Sequence, residues 1–358
     1  MRPVILVAPA AFKGTLGPRQ VAEALATGVR RAVPGAAVLE CPVADGGNGL
    51  LDVVLPAGAL RERLQVTGPI GDSVSAEMGW IDGETAIIES ASACGLALVE
   101  PEDRDPMRTT TRGVGELIWT AADRGAKTIV VGLGGTATVD GGTGAARGFG
   151  WTFENAAGTQ LPDGGGSLTD LASFGSGWGL VARVVALADV ATPLLGPDGA
   201  APVFGPQKGA RPEEIAQLAA GLARLAELWA QAGRPDLGTI PMGGAAGGLG
   251  AGLVFFAKAE LTGGAEWVLE RAGFDAALAK ADLVITAEGI FDKTSLVGKA
   301  PGEVVRRAQA AKKKVAVVAG RVDGLIGVHT VGGEDGRMLD GAALAQMAEQ
   351  VAREALRL

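Results

Sequence analysis

The chain has 358 residues, 47% of them hydrophobic, and a formal net charge of −8. That length suggests two domains or one large one with a real core, and an acidic chain without a lysine- or arginine-rich tract is a poor nucleic-acid binder. Cys41 and Cys94 are the only cysteines, which excludes a disulfide framework and a zinc cluster.

In chain order, Val4–Ala8 reads as a strand, and Gly17-Pro18 opens a helix whose apolar spacing runs through Val21, Leu25 and Val29 to Val33. Pro34-Gly35 stops it, Ala37–Cys41 is the next strand, and the loop Asp45-Gly46-Gly47-Asn48-Gly49 follows at that strand's C-terminal end. Residues 62–90 change character. Arg63–Thr67, Ala76–Ile81 and Thr85–Glu89 are short strands separated by Gly71-Asp72-Ser73 and by Asp82-Gly83-Glu84, a hairpin signal. A helix over Val114–Arg124 leads to strand Thr128–Val131. Strand Val181–Leu187 ends at Ala188-Asp189, and a long amphipathic helix covers 212–231. The closing part returns to a parallel α/β pattern. Strand Leu283–Thr286 ends in Ala287-Glu288-Gly289, Pro301 opens a helix, Val315–Ala319 is a strand, and Leu344, Met347 and Val351 mark a terminal helix. Lys312-Lys313-Lys314 reads as a solvated helix end. The first and last parts are expected to share one sheet, with the middle inserted between them.

The start of the chain reads as a strand too short for the apolar core of a signal peptide. Leu237–Ala257 is the longest uncharged stretch, yet it is rich in glycine and interrupted by Pro241, a poor membrane span. A cytoplasmic protein without a membrane partner is the expectation.

Glycine supplies 57 residues, roughly 16% against an average of about 7%, gathered in clusters beside apolar strands. The most informative cluster is Val130-Val131-Gly132-Leu133-Gly134-Gly135-Thr136-Ala137-Thr138-Val139-Asp140-Gly141-Gly142. A β-branched strand enters a double-glycine turn, followed by hydroxyls, an acid and a second double glycine. Glycine amides in tight turns form anion sites, and an acid close by makes sense if a divalent cation sits between it and a phosphate. Five loops repeat the pattern of a strand followed by an acid or lysine among small residues, and they carry Lys13, Asp45, Asp140, Asp189 and Glu288 with Asp292. With one histidine, His329, and no tyrosine, chemistry falls to carboxylates, amines, hydroxyls and backbone amides. Phosphoryl transfer suits that set, because it depends on positioning and electrostatics.

A Walker loop is absent, since Gly298-Lys299 is followed by Ala300. Gly132-Leu133-Gly134-Gly135-Thr136-Ala137 matches a dinucleotide fingerprint in spacing, but Gly141-Gly142 would fall inside the helix that fingerprint needs. Gly243–Gly252 reads either as close helix packing or as anion contact. Lys208 reads either as a surface lysine or as a ligand contact. One threonine of Thr109-Thr110-Thr111 is expected to cap the following helix, and Arg112 could grip a substrate carboxylate through its planar fork.

These residues resemble the bacterial type-1 glycerate kinases. Ala8–Thr15, Pro42–Gly47 and Gly134–Gly142 are similar to three signatures of that family. So are Arg104-Asp105-Pro106 with Thr109–Gly113, Ala188-Asp189-Val190, Phe204–Ala210, Gly244–Gly250 and Glu288–Pro301. The resemblance implies an α/β fold of two domains: a Rossmann-like parallel-sheet domain from both chain ends (1–66 plus 282–358) and an inserted α/β domain (67–281), with the active site in the cleft between them. It implies transfer of the γ-phosphate of ATP to D-glycerate with Mg²⁺, favouring 2-phosphoglycerate. Asp140 and Asp189 are then expected to hold Mg²⁺ or activate the glycerate hydroxyl, and Lys13 and Lys299 to neutralise phosphate charge. Gly134, Gly135, Gly141 and Gly142 would give amide contacts beside Thr136. Asp45 with Gly46, Gly47 and Arg112 would hold the sugar acid, and Lys208, Glu288 and Asp292 would complete the polar site. The partners are small molecules, and a homodimer is one option. The chain departs from the family pattern at Ala10, Ala11, Asn48, Val139 and Ile290, each time losing polarity or charge. That keeps open a kinase of another small hydroxy acid, or a catalytically silent ligand-binding homologue.

Overall fold

An uninterrupted Val-Ile-Leu-Val run at residues 4–7 is buried from Ile5 to Val7, the mark of a strand covered on both faces of a parallel sheet. The computed structural model describes residues 2–12, 15–47, 49–296, 299–323, 328–332 and 339–356. In chain order the first elements are β1 (Val4–Val7), α1 (Pro18–Ala32), β2 (Ala37–Glu40), α2 (Leu50–Val54), β3 (Arg61–Thr67), β4 (Ser73–Trp80), β5 (Thr85–Glu89) and α3 (Ser90–Cys94). Next come α4 (Arg112–Asp123), β6 (Thr128–Gly132), α5 (Thr143–Gly148), β7 (Phe153–Glu154), β8 (Ser173–Phe174), β9 (Arg183–Ala188), α6 (Ala200–Phe204), α7 (Pro212–Gln231) and α8 (Ala245–Phe256). The last are β10 (Glu260–Gly263), α9 (Gly264–Arg271), α10 (Phe274–Lys280), β11 (Leu283–Phe291), α11 (Ala300–Ala310), β12 (Lys314–Val322), β13 (His329–Gly332) and α12 (Gly341–Leu356).

The chain divides into two units: Met1–Asp45 with Asp52–Val54 and Gly263–Leu358, and Gly46–Leu51 with Leu55–Thr262. Both ends of the chain therefore build one unit, but its borders differ from the expected 66/67 and 281/282. The first border falls earlier because β3 pairs along its whole length with β4 of the second unit. The second falls earlier because α9 and α10 bury Leu269 and Phe274 against the first unit's sheet.

The first unit is a five-stranded sheet in the order β13-β12-β11-β1-β2, parallel throughout. Alternation along β1 sends Ile5 and Val7 to a core shared with Leu25 of α1 and Leu344 of α12, and sends Leu6 to a second core with Phe274 and Val304. The result is three layers, helices on both faces, as a doubly wound parallel sheet requires. Helices α1 and α12 meet at Gly28, where an added Cβ would lie 1.9 Å from the carbonyl oxygen of Ala345. His329 sits on edge strand β13 with Nε2 3.0 Å from Glu354 Oε2, a structural contact.

The second unit has a six-stranded mixed sheet, β10-β9-β6-β5-β4-β3. The β3-β4-β5 stretch is antiparallel, as the Asp-Gly turn signal predicts, and β5, β6 and β9 run parallel. Glu89, Gly132 and Ala188 consequently end their strands along one carboxyl edge. No described helix is long and apolar enough to cross a membrane.

Gly28→Ala should force α1 from α12 and lower stability by about 1–3 kcal/mol. Urea unfolding measures it, and an unchanged midpoint would contradict this packing.

Candidate active site

In an open α/β sheet, ligands bind beyond the carboxyl ends of the strands. In the first unit, the chain beyond β1 is held in place. Ala8 and Ala10 donate to the carbonyls of Ile285 and Ala287 at 2.8 and 2.9 Å, and Val43 donates to Pro9 at 2.9 Å. Asp45 follows β2 at this edge, and Glu288 lies on β11 in register with Ala319. Lys299 stands at the N-cap position of α11, and its Nζ donates to Glu288 Oε1 at 3.3 Å. Burial raises the Glu288 carboxyl above its ordinary value, with the negative charge of Asp45 adding to the effect, while the Ser295 hydroxyl and the Lys299 ammonium pull it back. Asp292 accepts the Ser295 amide at 3.0 Å and so starts the short turn over Lys293–Leu296. The sequence-predicted Asp45, Glu288, Asp292 and Lys299 thus share one strand edge. Lys13 lies outside the described residues.

In the second unit, the glycine-rich segment after β6 is held from three sides. Asp140 is fully buried. Its Oδ2 accepts the Thr111 amide (2.9 Å), the Thr111 hydroxyl (2.8 Å) and the Gly144 amide (3.2 Å), and Oδ1 accepts the Gly142 amide at 3.0 Å. Burial raises its carboxyl above the usual range and these donors lower it again. Since every partner donates, the arrangement matches the acceptor-only carboxylate. Lys208 is also buried, and its ammonium donates to Thr136 Oγ1 at 3.1 Å and to the Thr138 carbonyl at 2.7 Å. Burial pulls its pKa down to about 8, against the opposing influence of Cys94 and Asp140. From the third side, Gly247 has a left-handed φ of +70°, and an added Cβ there would lie 1.9 Å from the Thr138 carbonyl oxygen. Of the two readings for Gly243–Gly252, close packing is the one realised.

Several expectations are corrected by this geometry. Asp140 has no exposed surface and takes three donors on Oδ2 and one on Oδ1, so it braces the loop. The Gly134, Gly141 and Gly142 amides do not face a phosphate. They donate to Ser90 Oγ (3.2 Å), the Gly247 carbonyl (3.1 Å) and Asp140. Thr136 is buried against Lys208, and Gly135 is the exposed member of the turn. Lys208 is a loop brace, neither a surface lysine nor a group open to ligand. Of the three threonines, Thr111 sends its hydroxyl to Asp140 and makes no side-chain cap, while Thr110 Oγ1 accepts the amide of Arg112, the first residue of α4, at 3.2 Å. Arg112 does offer a planar fork, but Asp163 fills it, with Nε–Oδ2 2.9 Å and Nη2–Oδ1 3.0 Å, and Arg147 Nε also reaches Asp163 at 3.1 Å.

Gly46 and Gly47 do meet the glycine segment closely. A Cβ on Gly132 would lie 2.0 Å from the Gly46 carbonyl oxygen, and one on Gly134 would lie 3.3 Å from Gly47 Cα. Asp189 follows β9 directly and is partly exposed. Residues that sequence reasoning missed are Thr111, Asp163, Ser90 and Glu89, whose Oε1 accepts the Leu51 amide at 2.9 Å. Each sat in a run that reads as an ordinary turn or strand end. A resident magnesium centre on Asp140 and Asp189 does not fit, because Asp140 is sealed. No group of three acidic, histidine or cysteine side chains among the described residues is placed to hold a metal.

Comparison with known proteins agrees with the sequence signatures. The model of the glycerate kinase family matches residues 5–335. The chain belongs to the glycerate kinase family. It is 41% identical to the glycerate 2-kinase of Escherichia coli K12 over 331 residues, 90% of this chain and 87% of that one. It is 41% identical to the glycerate kinase of Bacillus subtilis 168 over 325 residues, covering 89% and 85%. A crystal structure from Salmonella typhimurium LT2, provisionally named glycerate kinase 2, superposes with a TM-score of 0.84 at 36% identity, over 100% of this chain and 99% of that one. Membership places it among ATP-dependent phosphotransferases that act on a hydroxyl group.

If Asp140 is a brace, Asp140→Asn should lose about 1–3 kcal/mol of stability, because an amide turns an NH₂ toward backbone donors. A variant with native stability and lost turnover would instead make Asp140 a reacting group. For Lys208 the sign runs upward with pH. The folded ammonium releases its proton near pH 8 and the unfolded one near 10.5, so the unfolded state binds more protons between them and stability rises there. Denaturant melts across that window should show wild type gaining on Lys208→Met, and a constant difference would contradict the burial.

Proposed function

We propose that this protein is a D-glycerate kinase that moves the γ-phosphate of ATP to a glycerate hydroxyl and yields 2-phosphoglycerate. The observation that carries the reading is the match of nearly the whole chain to kinases named for that acid, with the acid- and lysine-bearing strand ends retained. Lys299 neutralises charge on the transferred phosphoryl group. Glu288, raised by burial and 3.3 Å from Lys299, accepts the hydroxyl proton as the glycerate oxygen bonds to the γ-phosphorus and the bond to the β-phosphate oxygen breaks, releasing ADP. Asp45 and Asp292 orient the hydroxy acid, and Lys13 is assigned to the phosphates. Gly135, the exposed glycine of its turn, offers its amide to the nucleotide. Magnesium bound to ATP would shield the charge of the phosphates. Of the pair first considered for it, Asp189 is the residue that is not fully buried.

A second reading, a kinase for another small hydroxy acid, rests on Ile290. This isoleucine is 44% exposed on β11 where the family pattern has arginine, so the acceptor site loses a cation.

Phosphorus NMR of a reaction with ATP, Mg²⁺ and D-glycerate should show 2-phosphoglycerate and ADP. The 3-isomer would overturn the regiochemistry, and a many-fold preference for tartronate would favour the second reading. Lys299→Met should lower kcat/KM by about 100-fold or more, and a change under about threefold would remove Lys299 from the phosphate site.

A further inference from the structure

Beneath the Pro69-Ile70 turn, the second unit holds a cavity of about 830 Å³ that none of the residues so far assigned to the reaction fills. Its apolar walls are Ile70, Met107 and Pro162, and its polar rim carries Asp103, Asp105, Arg108 and Ser167. Asp163 lines it too, but that carboxylate is spent on Arg112 and Arg147. At the back, buried Thr109 donates its hydroxyl to the Ala137 carbonyl at 2.8 Å, so one wall of the cavity is bonded to the glycine segment. The adjoining Thr110 amide holds the turn that carries Ile70, donating to the Pro69 carbonyl at 2.9 Å.

We propose that this cavity takes the nucleoside end of ATP, a deepening that rests on the kinase reading above. The volume lies in the range that encloses a nucleoside-sized ligand, and a three-carbon acid would leave most of it open. Asp103 and Asp105 can accept hydrogen bonds from ribose hydroxyls, Asp105 through the oxygen not taken by the Met107 amide, while Arg108 on the same rim offsets one of their charges. Ile70, 55% exposed in the free protein, and Met107 gain a cover when a flat purine lies against them. The Thr109–Ala137 bond then sets the nucleoside wall at a fixed offset from the turn containing Gly135.

The test is the separation of the two substrates in steady-state kinetics, joined to calorimetry with adenosine, which carries no phosphate. Ile70→Asp and Asp103→Ala should each raise KM for ATP by about tenfold while KM for D-glycerate stays within about twofold. Wild type should bind adenosine, and Ile70→Asp should lose that binding while its thermal melt remains cooperative. A shift in KM for D-glycerate with KM for ATP unmoved would overturn the nucleoside assignment and leave the kinase reading standing. Absence of turnover in wild type would instead sink the kinase reading, and adenosine binding would then decide the cavity by itself. Adenosine that binds wild type and Ile70→Asp equally overturns the proposal in either case.

Discussion

One sealed carboxylate organises the second unit. Asp140 draws donors from Thr111, Gly142 and Gly144, and so joins the start of α4, the double glycine and the start of α5 around a single charge. Unpairing it would leave a buried ion without solvent, which costs several kcal/mol. Glycine is demanded around it for lack of room: a Cβ on Gly144 would stand 2.3 Å from Thr110 Oγ1 and 2.7 Å from Asp140 Oδ2. Lys208 repeats the device from the opposite side through Thr136 and Thr138. The segment that looks most like a reactive loop is therefore braced by its charges, and only its first turn, at Gly134 and Gly135, reaches solvent.

The first unit achieves placement differently. Asp45 follows β2, Glu288 lies on β11 and Lys299 caps the start of α11, so residues far apart in sequence come to one edge of the parallel sheet. The Lys299 ammonium steadies the Glu288 carboxylate, which burial would otherwise push toward its neutral form.

Much of this was legible in the chain. Continuous apolar runs gave the buried strands, helical spacing gave α1 and α7, and the Asp-Gly turn gave the antiparallel corner, because each is a local pattern with a local cause. Strand ends carrying Asp45, Asp189 and Glu288 were legible for the same reason. What stayed hidden was direction and partnership. A glycine-rich segment announces close approach, but not whether its amides face a ligand or, as at Gly141 and Gly142, the protein's own carbonyl and carboxylate. Nor could spacing reveal that Arg112 closes on Asp163, 51 residues away, or that Lys208 is buried, since both depend on tertiary packing. The early unit borders arise likewise, from β3 choosing β4 as its partner.

The measurement that bears most directly on this account is the structure of the protein with a non-hydrolysable ATP analogue, Mg²⁺ and D-glycerate bound. Asp140 should keep its bonds to Thr111, Gly142 and Gly144 and touch neither ligand nor metal. A magnesium ion at about 2.1 Å from Asp140, or the glycerate hydroxyl hydrogen-bonded to it, would contradict the claim that this carboxylate holds the loop and leaves the chemistry to others.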